Sequence, residues 1–279
     1  MQPLQIFIDQ LQKGRNYHIS ILDVSGVLHT SLTELAHNTL VHSCTFCRIA
    51  KSTEHGLRTC LHCKKLANNK AIHRRTPFAG HCAYGLYEVA YPVIISNQVA
   101  AVVYVGNFIT DSTHSMKRIE RTCRSTRVSK ELLFQQLHSC EAVISQEEPF
   151  AIAELVSDYL KILCKQNPTP LAKTHWLIDQ MKTQIENSLS DSLTLTDFST
   201  IYQKNEKYLG RLFKKETGVS YHTYCNQLRI EKAKELLRTT PTKVIDIAFE
   251  CGFSNIAYFN RVFKKAVGLT PCEYRKTQQ

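Results

Sequence analysis

The chain has 279 residues, 43% hydrophobic and 21% charged, enough for two compact domains and unlike a disordered or fibrous protein. Its net charge of +11 suits a polyanionic partner, and its longest apolar run, Val99–Val105, is far too short to span a membrane. MQPLQIFIDQLQKG at the start has neither a basic leader nor a small-residue cleavage site, so a cytoplasmic location is expected; eleven cysteines then argue against a disulfide framework.

Residues 1–166 read as an α+β unit. Leu4–Leu11 has the pattern of a short helix, and Tyr17–Leu28 that of a strand with a turn at Ser25–Gly26. Helix returns over His55–Arg74. Gly85–Ile95 and Val99–Phe108 are the strongest strand signals, joined at Ser96–Asn97 as a hairpin. Helices are expected near 115–124, 129–146 and 149–165. The result is a central antiparallel sheet with helices around it, an architecture suited to sensing a small molecule. Ile152, Leu155, Val156, Tyr159 and Leu163 form an apolar stripe that fits either a homodimer contact or the chain's own sheet.

Five cysteines crowd this half between Cys44 and Cys82. Cys44-x-x-Cys47 and Cys60-x-x-Cys63 could give four thiolates to one tetrahedral ion, making zinc a candidate cofactor, with His55, His62 and His81 as alternative ligands. Three readings stay open: the metal site, slightly favoured by spacing; small thiols filling a core; and a redox pair activated by the basic neighbours Arg48, Arg58 and Lys64.

Pro168 and Pro170 mark a linker over 167–174, and beyond it the sequence repeats at an offset of 50 residues: YLGRLFKKETG (208–218) and YFNRVFKKAVG (258–268). Each copy reads as a helix. Asn205, and Ser254 or Asn255, are the N-caps, and Gly218 and Gly268 the left-handed stops. Leu209, Leu212 and Phe213, and again Phe259, Val262 and Phe263, make an inward stripe. Lys207, Gly210, Arg211 and Lys214, and again Ala257, Asn260, Arg261 and Lys264, make an outward one. Shorter helices precede the copies at Leu195–Ile201 and Val244–Cys251. Tyr221–Arg238 is a helix connecting the two pairs, periodic in Leu228, Ala233, Leu236 and Leu237. Helix, tight turn and basic helix, used twice, is a double helix-turn-helix, all-α, whose partner is double-stranded DNA. Arg211 and Arg261 suit guanine and Asn260 adenine, while Lys207, Lys214, Lys264 and Lys265 suit phosphates.

Residues 175–279 resemble the AraC/XylS-type DNA-binding domain through LRIEKAKELL (228–237), DIAFECGFSN (246–255), YFNRVFKKAVGLTPCEYR (258–275) and YLGRLFKKETG. The departures are Ser199, where alanine is usual, and Gly210, where that family often carries a base-reading side chain. Residues 1–165 resemble the PocR-type ligand-binding domain, a PAS-like sensor of small organic molecules such as diols. The resemblance rests on Phe46-Cys47, GLRTC ending in Cys60, the hairpin HCAYGLYEVAYPVIISNQVAAVVYVGNF with Cys82, and the long closing helix. It implies an effector pocket lined or braced by Cys47, Cys60, Cys82, Tyr84, Tyr87, Glu88 and Tyr91, with Cys44 and Cys63 as additions that a metal site would need.

Together these features describe a one-component, non-enzymatic transcription regulator. Residues 1–166 sense a small-molecule effector and 175–279 bind DNA. The AraC resemblance favours an activator, with RNA polymerase as a further partner. One alternative is a metal- or redox-sensing regulator using Cys44, Cys47, Cys60, Cys63 and Cys82. The rival from another class is an Ada-type methyl-phosphotriester repair protein, which also joins a cysteine-rich domain to an AraC-type unit. The apolar hairpin and the absence of a basic motif at an acceptor cysteine speak against it.

Overall fold

The computed structural model describes residues 2–28, 30–36, 39, 44–143, 145–166, 175–187, 193–202 and 204–278; the expected linker 167–174 lies outside them. Two compact units emerge, one of Met1–Trp176 with Thr200–Gln203 and one of Leu177–Ser199 with Lys204–Gln279. Among the described residues no helix is long and apolar enough to cross a membrane.

In the first unit β1 (His18–Asp23), β4 (Gln98–Ile109), β3 (Tyr87–Ile95) and β2 (Phe78–His81) lie antiparallel in that order. The two-residue β5 (Glu141–Ala142) joins β4 in parallel. Ser96 and Asn97 both take positive φ (49° and 60°), which gives the hairpin turn a twist matching its strands. Successive strand residues point to opposite faces. Ile19, Ile21, Val89, Val93, Ala101, Val103 and Val105 therefore share one face, beneath α1 (Pro3–Gln12) and α6 (Glu147–Gln166). Ala90, Val102 and Tyr104 share the other, beneath Ala67 and Ala71 of α3 (Glu54–Arg74). At the sheet's end α2 (Thr45–Ala50), α4 (Ser112–Thr126) and α5 (Lys130–Leu137) enclose Phe46, Tyr84, Leu86, Ile119 and Leu133. Near that end β4 carries a bulge: Val89 pairs Val105 but Tyr87 pairs Phe108, so Gly106 and Asn107 together oppose Glu88, and Asn107 takes φ 71°.

Several expectations need correction. The first strand stops at Asp23 rather than Leu28. The Asp23 carboxylate accepts the backbone N–H groups of Ser25, Gly26, Val27 and Leu28 (2.6–3.2 Å) and winds them into a turn. The helix expected over 129–146 ends at Leu137, because Glu141 is drawn into β5 by Arg15 Nε (2.6 Å) and Asn16 N (2.7 Å). Arg15 also pairs with Glu148 at 2.8 Å. Strand β2 and helix α2 were not anticipated. The stripe on α6 packs on the chain's own sheet: Ile152, Val156 and Leu163 are buried and Tyr159 meets Phe7 at 4.5 Å, while Leu155 points away, 55% exposed.

The second unit is helical: α7 (His175–Asn187), α8 (Leu195–Tyr202), α9 (Glu206–Thr217), α10 (Tyr221–Thr239), α11 (Val244–Glu250), α12 (Ile256–Val267) and α13 (Pro271–Gln278). Reciprocal capping boxes start α8 (Thr194 with Asp197) and α13 (Thr270 with Glu273). Helix α10 serves two cores. Tyr221 packs with Phe198, and both Tyr221 and Tyr224 pack with Phe213. Ile230, Ala233 and Leu237 pack with Ile247, Phe253, Phe259 and Phe263. Gly218 and Gly268 end α9 and α12 at φ 78° and 85°.

The cap of α12 is Asn255, whose side chain accepts Tyr258 N–H at 3.0 Å, while Ser254 stands exposed before it. Asn255→Ala is therefore expected to cost about 1 kcal/mol, and Ser254→Ala less than about 0.5 kcal/mol. Urea denaturation of the two variants checks the difference.

Candidate functional site

The outer face of the second unit comes from α9 and α12. On α9, Leu209, Leu212 and Phe213 are buried, and Lys207, Arg211, Lys214 and Lys215 are exposed. On α12, Phe259 and Phe263 are buried, and Ala257, Asn260, Arg261, Lys264 and Lys265 are exposed. The structure thus gives each copy a basic outer face. Three members of the expected set differ. Gly210 is half-buried; a Cβ there would lie 3.4 Å from Leu195 Cδ1 of α8, an ordinary contact, so the position belongs to the packing between the two helices. Asn205 and Asn255 spend their side-chain oxygens on caps, Asn205 on the N–H groups of Lys207 and Tyr208, and so orient their helices from the first turn.

In the first unit the cysteines gather where α2 and α3 meet the sheet. Cys44 is the N-cap of α2 and accepts Cys47 N–H at 3.5 Å. The Cys47 thiol, donating to it, then that backbone bond and Lys51 hold the Cys44 thiol below its ordinary pKa against burial, whereas Cys47, as the buried donor, is raised. Burial pushes Cys60 up to about 11 and Cys82 up to about 12. Cys47, Cys60 and Cys82 are thus neutral thiols, close enough to perturb one another's charge. Among the described residues no three His, Cys, Asp or Glu side chains form a group able to hold a metal ion.

Beside the thiols stands an ion pair. Lys64 Nζ lies 3.1 Å from both Glu88 oxygens and 3.2 Å from the centroid of the Tyr104 ring. Desolvation pushes the Lys64 pKa down while Glu88 pulls it up, and the net shift is downward. Enclosed as they are, Lys64 and Glu88 still keep 26% and 16% of their side-chain surface accessible. Cys47, Cys60, Cys63 and Cys82 are likewise half-buried. These partly desolvated groups thus keep some surface open beside one another. Gly106 backs the pair, for a Cβ there would meet Glu88 Cγ and Oε1 at 3.1 Å.

The seven expected pocket residues do not all share this place. Cys47, Cys60, Cys82 and Glu88 do. Tyr84 braces from behind, fully buried, its hydroxyl donating to Ala50 O (3.0 Å) and sited 3.3 Å from Thr126 Oγ1. Tyr87 and Tyr91 lie on the opposite sheet face in the α1–α6 core, where Tyr91 donates to Glu154 of α6 at 3.2 Å. Strand alternation separates them from Glu88.

A family described as a sensory domain found in PocR matches residues 1–167, and one described as a helix-turn-helix domain matches 198–277. The chain belongs to the family of proteins with a PocR-type sensory domain, and it carries a helix-turn-helix domain after it. RhaR of Salmonella dublin, an HTH-type transcriptional activator, is 30% identical over 148 residues, 50% of this chain and 52% of RhaR. YfiF of Bacillus subtilis, an HTH-type transcriptional regulator, is 38% identical over 106 residues, 38% of this chain and 33% of YfiF. The chain thus spans about half the length of RhaR and a third of that of YfiF. Among solved structures, a protein of unknown function from Listeria innocua is 37% identical, covering 37% of this chain and 97% of its own, with TM-score 0.36. The C-terminal domain of the response regulator yesN from Fusobacterium nucleatum is 39% identical, covering 35% and 95%, with TM-score 0.34.

Two side chains of this neighbourhood are not singled out by the sequence reading. Lys64 was a basic neighbour of the thiols rather than a member of the site, although Cys60, Lys64, Ala67 and Ala71 make one helical stripe. Cys140 lies far along the chain, yet its thiol (3.2 Å) and that of Cys44 (3.5 Å) both donate to Asn107 Oδ1. No local pattern marks that meeting.

Glu88→Gln leaves the enclosed ammonium without its carboxylate. It is expected to destabilise the chain by about 2–3 kcal/mol, less than a fully dry pair because both partners keep some surface. Adding Lys64→Met should recover part of the loss, as urea midpoints would reveal. Thiol reactivity should follow the protonation order. A lowered pKa supplies thiolate at lower pH and a raised one withholds it, so at pH 7–8 iodoacetamide should reach Cys44 before Cys60 or Cys82. Peptide mass spectrometry reads the order.

Proposed function

We propose that the chain is an effector-responsive, sequence-specific transcription regulator whose residues 175–279 bind double-stranded DNA and whose residues 1–166 sense a small organic molecule. The observation that carries it is the pair of matched basic faces on α9 and α12, both docked on the one helix α10. With their apolar stripes buried, the two helices leave Arg211, Asn260 and Arg261 free to meet base edges in the major groove, Arg to guanine and Asn to adenine. Lys207, Lys214, Lys264 and Lys265 neutralise phosphates and set affinity. Ala257 permits close approach, Gly210 supplies no reading side chain, and Asn205, Ser254 and Asn255 form the entry turns.

In the sensor the effector binds at the cluster of Cys47, Cys60, Cys63, Cys82, Lys64 and Glu88. An ammonium donor beside a carboxylate acceptor, with thiols around them, suits a small neutral molecule bearing hydroxyl groups: Lys64 donates to one oxygen and Glu88 accepts its proton. Likeness to an activator, RhaR, supports activation, with RNA polymerase as the downstream partner and the cytoplasm as the place.

The full-length chain should lose DNA affinity steeply with salt. Four or more phosphate contacts imply a log–log slope of about −4 or steeper, at about −0.9 per contact. A slope near zero removes these faces from the duplex. Native mass spectrometry of freshly purified chain should find a bound small organic molecule, whereas stoichiometric zinc on four sulfurs would replace the pocket by a metal-sensing centre.

A further inference from the structure

Tyr208 and Tyr258 hold equivalent positions in the repeat, but their surroundings differ. Tyr208 is an exposed side chain on α9. Tyr258 is half-buried and tied to the connecting helix. Its hydroxyl accepts Asn226 Nδ2–H at 2.8 Å and lies 3.3 Å from His222 Nε2, both on α10. Its ring meets the Phe253 ring at 6.1 Å, and the guanidinium carbon of Arg261 lies 5.3 Å from its centroid.

We propose that Tyr258 is a positioning residue for sequence readout, fixing the Arg261 guanidinium against its ring while Asn226 and His222 fix the ring against α10. The inference rests on Arg261 being a base contact. Long side chains on a helix lean back over the preceding turn, so Arg261 stacked on the residue three before it is held toward the N-terminal end of α12. That end of a recognition helix is the one whose residues reach base edges. A guanidinium stacked on an aromatic face is already ordered before DNA arrives, so less rotamer freedom is lost on contact. The anchor is the helix that also carries Tyr221 and Tyr224 of the first helix-turn-helix core. Arg261 is therefore placed relative to both helix-turn-helix units, not to α12 alone.

The test uses the full chain and a duplex selected by it from a randomised pool. Arg261→Ala defines the probe: the base step at which discrimination between the selected duplex and its single-step variants falls. Tyr258→Leu is expected to lower the discrimination ratio at that same step about two- to fivefold, the change matching a surface cation–π contact. The slope of affinity against salt should not change, because the phosphate contacts remain. Tyr258→Phe keeps the ring, loses the hydroxyl anchor and should fall between wild type and Tyr258→Leu; it carries the test if Tyr258→Leu does not fold. Tyr258→Leu combined with Arg261→Ala should discriminate no worse than Arg261→Ala alone. Equal weakening on both duplexes, or independent losses in the double variant, overturns the inference and leaves the base contact standing. An unchanged ratio in Arg261→Ala removes the base contact and the inference with it.

Discussion

Strands β3 and β4 are paired along most of their length, and the alternation of their side chains divides the sensor in two. Every residue of the hairpin must point either to the α1–α6 side or to the α3 side. The first side is filled with Val89, Val93, Val103 and Val105 and is a dry core. The second begins the same way, with Ala90 and Val102, but toward its end offers Glu88, Tyr104 and Gly106. A carboxylate there would be costly alone, and Lys64 reaches it from α3 with the Tyr104 ring beneath its ammonium. The small residue at 106 leaves Glu88 its place. The pair, the thiols beside it and the residual opening all follow from which parity of strand residue faces α3.

The DNA-binding unit depends on a different economy, one helix shared by two small cores. Both the α8–α9 pair and the α11–α12 pair pack on α10, the first through Tyr221 and Tyr224, the second through Ile230, Ala233 and Leu237. Sharing fixes the separation and rotation of the two outer faces through α10. It also explains how the copies could diverge. Gly210 of the first is taken up with Leu195, while Arg261 of the second is stacked on an anchored tyrosine.

What the sequence disclosed was local. Helical period, Asn caps and glycine stops lie within a dozen residues of one another, so the double helix-turn-helix and its inward and outward stripes were legible with nothing folded. The same holds for the hairpin and for α3. What it concealed was set by distance or by a single side chain. The Asp23 carboxylate ended a run of β-favouring residues early by collecting four amides, which no periodicity reveals. Tyr87 and Glu88 are neighbours in sequence and were grouped in one pocket; parity sends them to opposite faces. Cys140 reaches Asn107 across 33 positions, and Cys44 reaches the same oxygen across 63 from the other side. The x-x spacing of the cysteines reads equally well as a metal pair and as what Cys44 and Cys47 form here, a helix cap hydrogen-bonded to its own first turn.

Asn107 is where β4 carries one residue more than β3. Strict alternation through Asn107 would put Phe108 on the face of Gly106, away from Val105. With the bulge, Phe108 returns to the face of Val105 and stacks on Tyr17, while Ile109 turns to the cluster around Phe46. The strand thus feeds two differently phased cores in succession, and the change of phase is made by inserting length. At this point in the chain a count of residues sets the phase, and Asn107, which tolerates the positive φ and accepts both thiols, supplies the count.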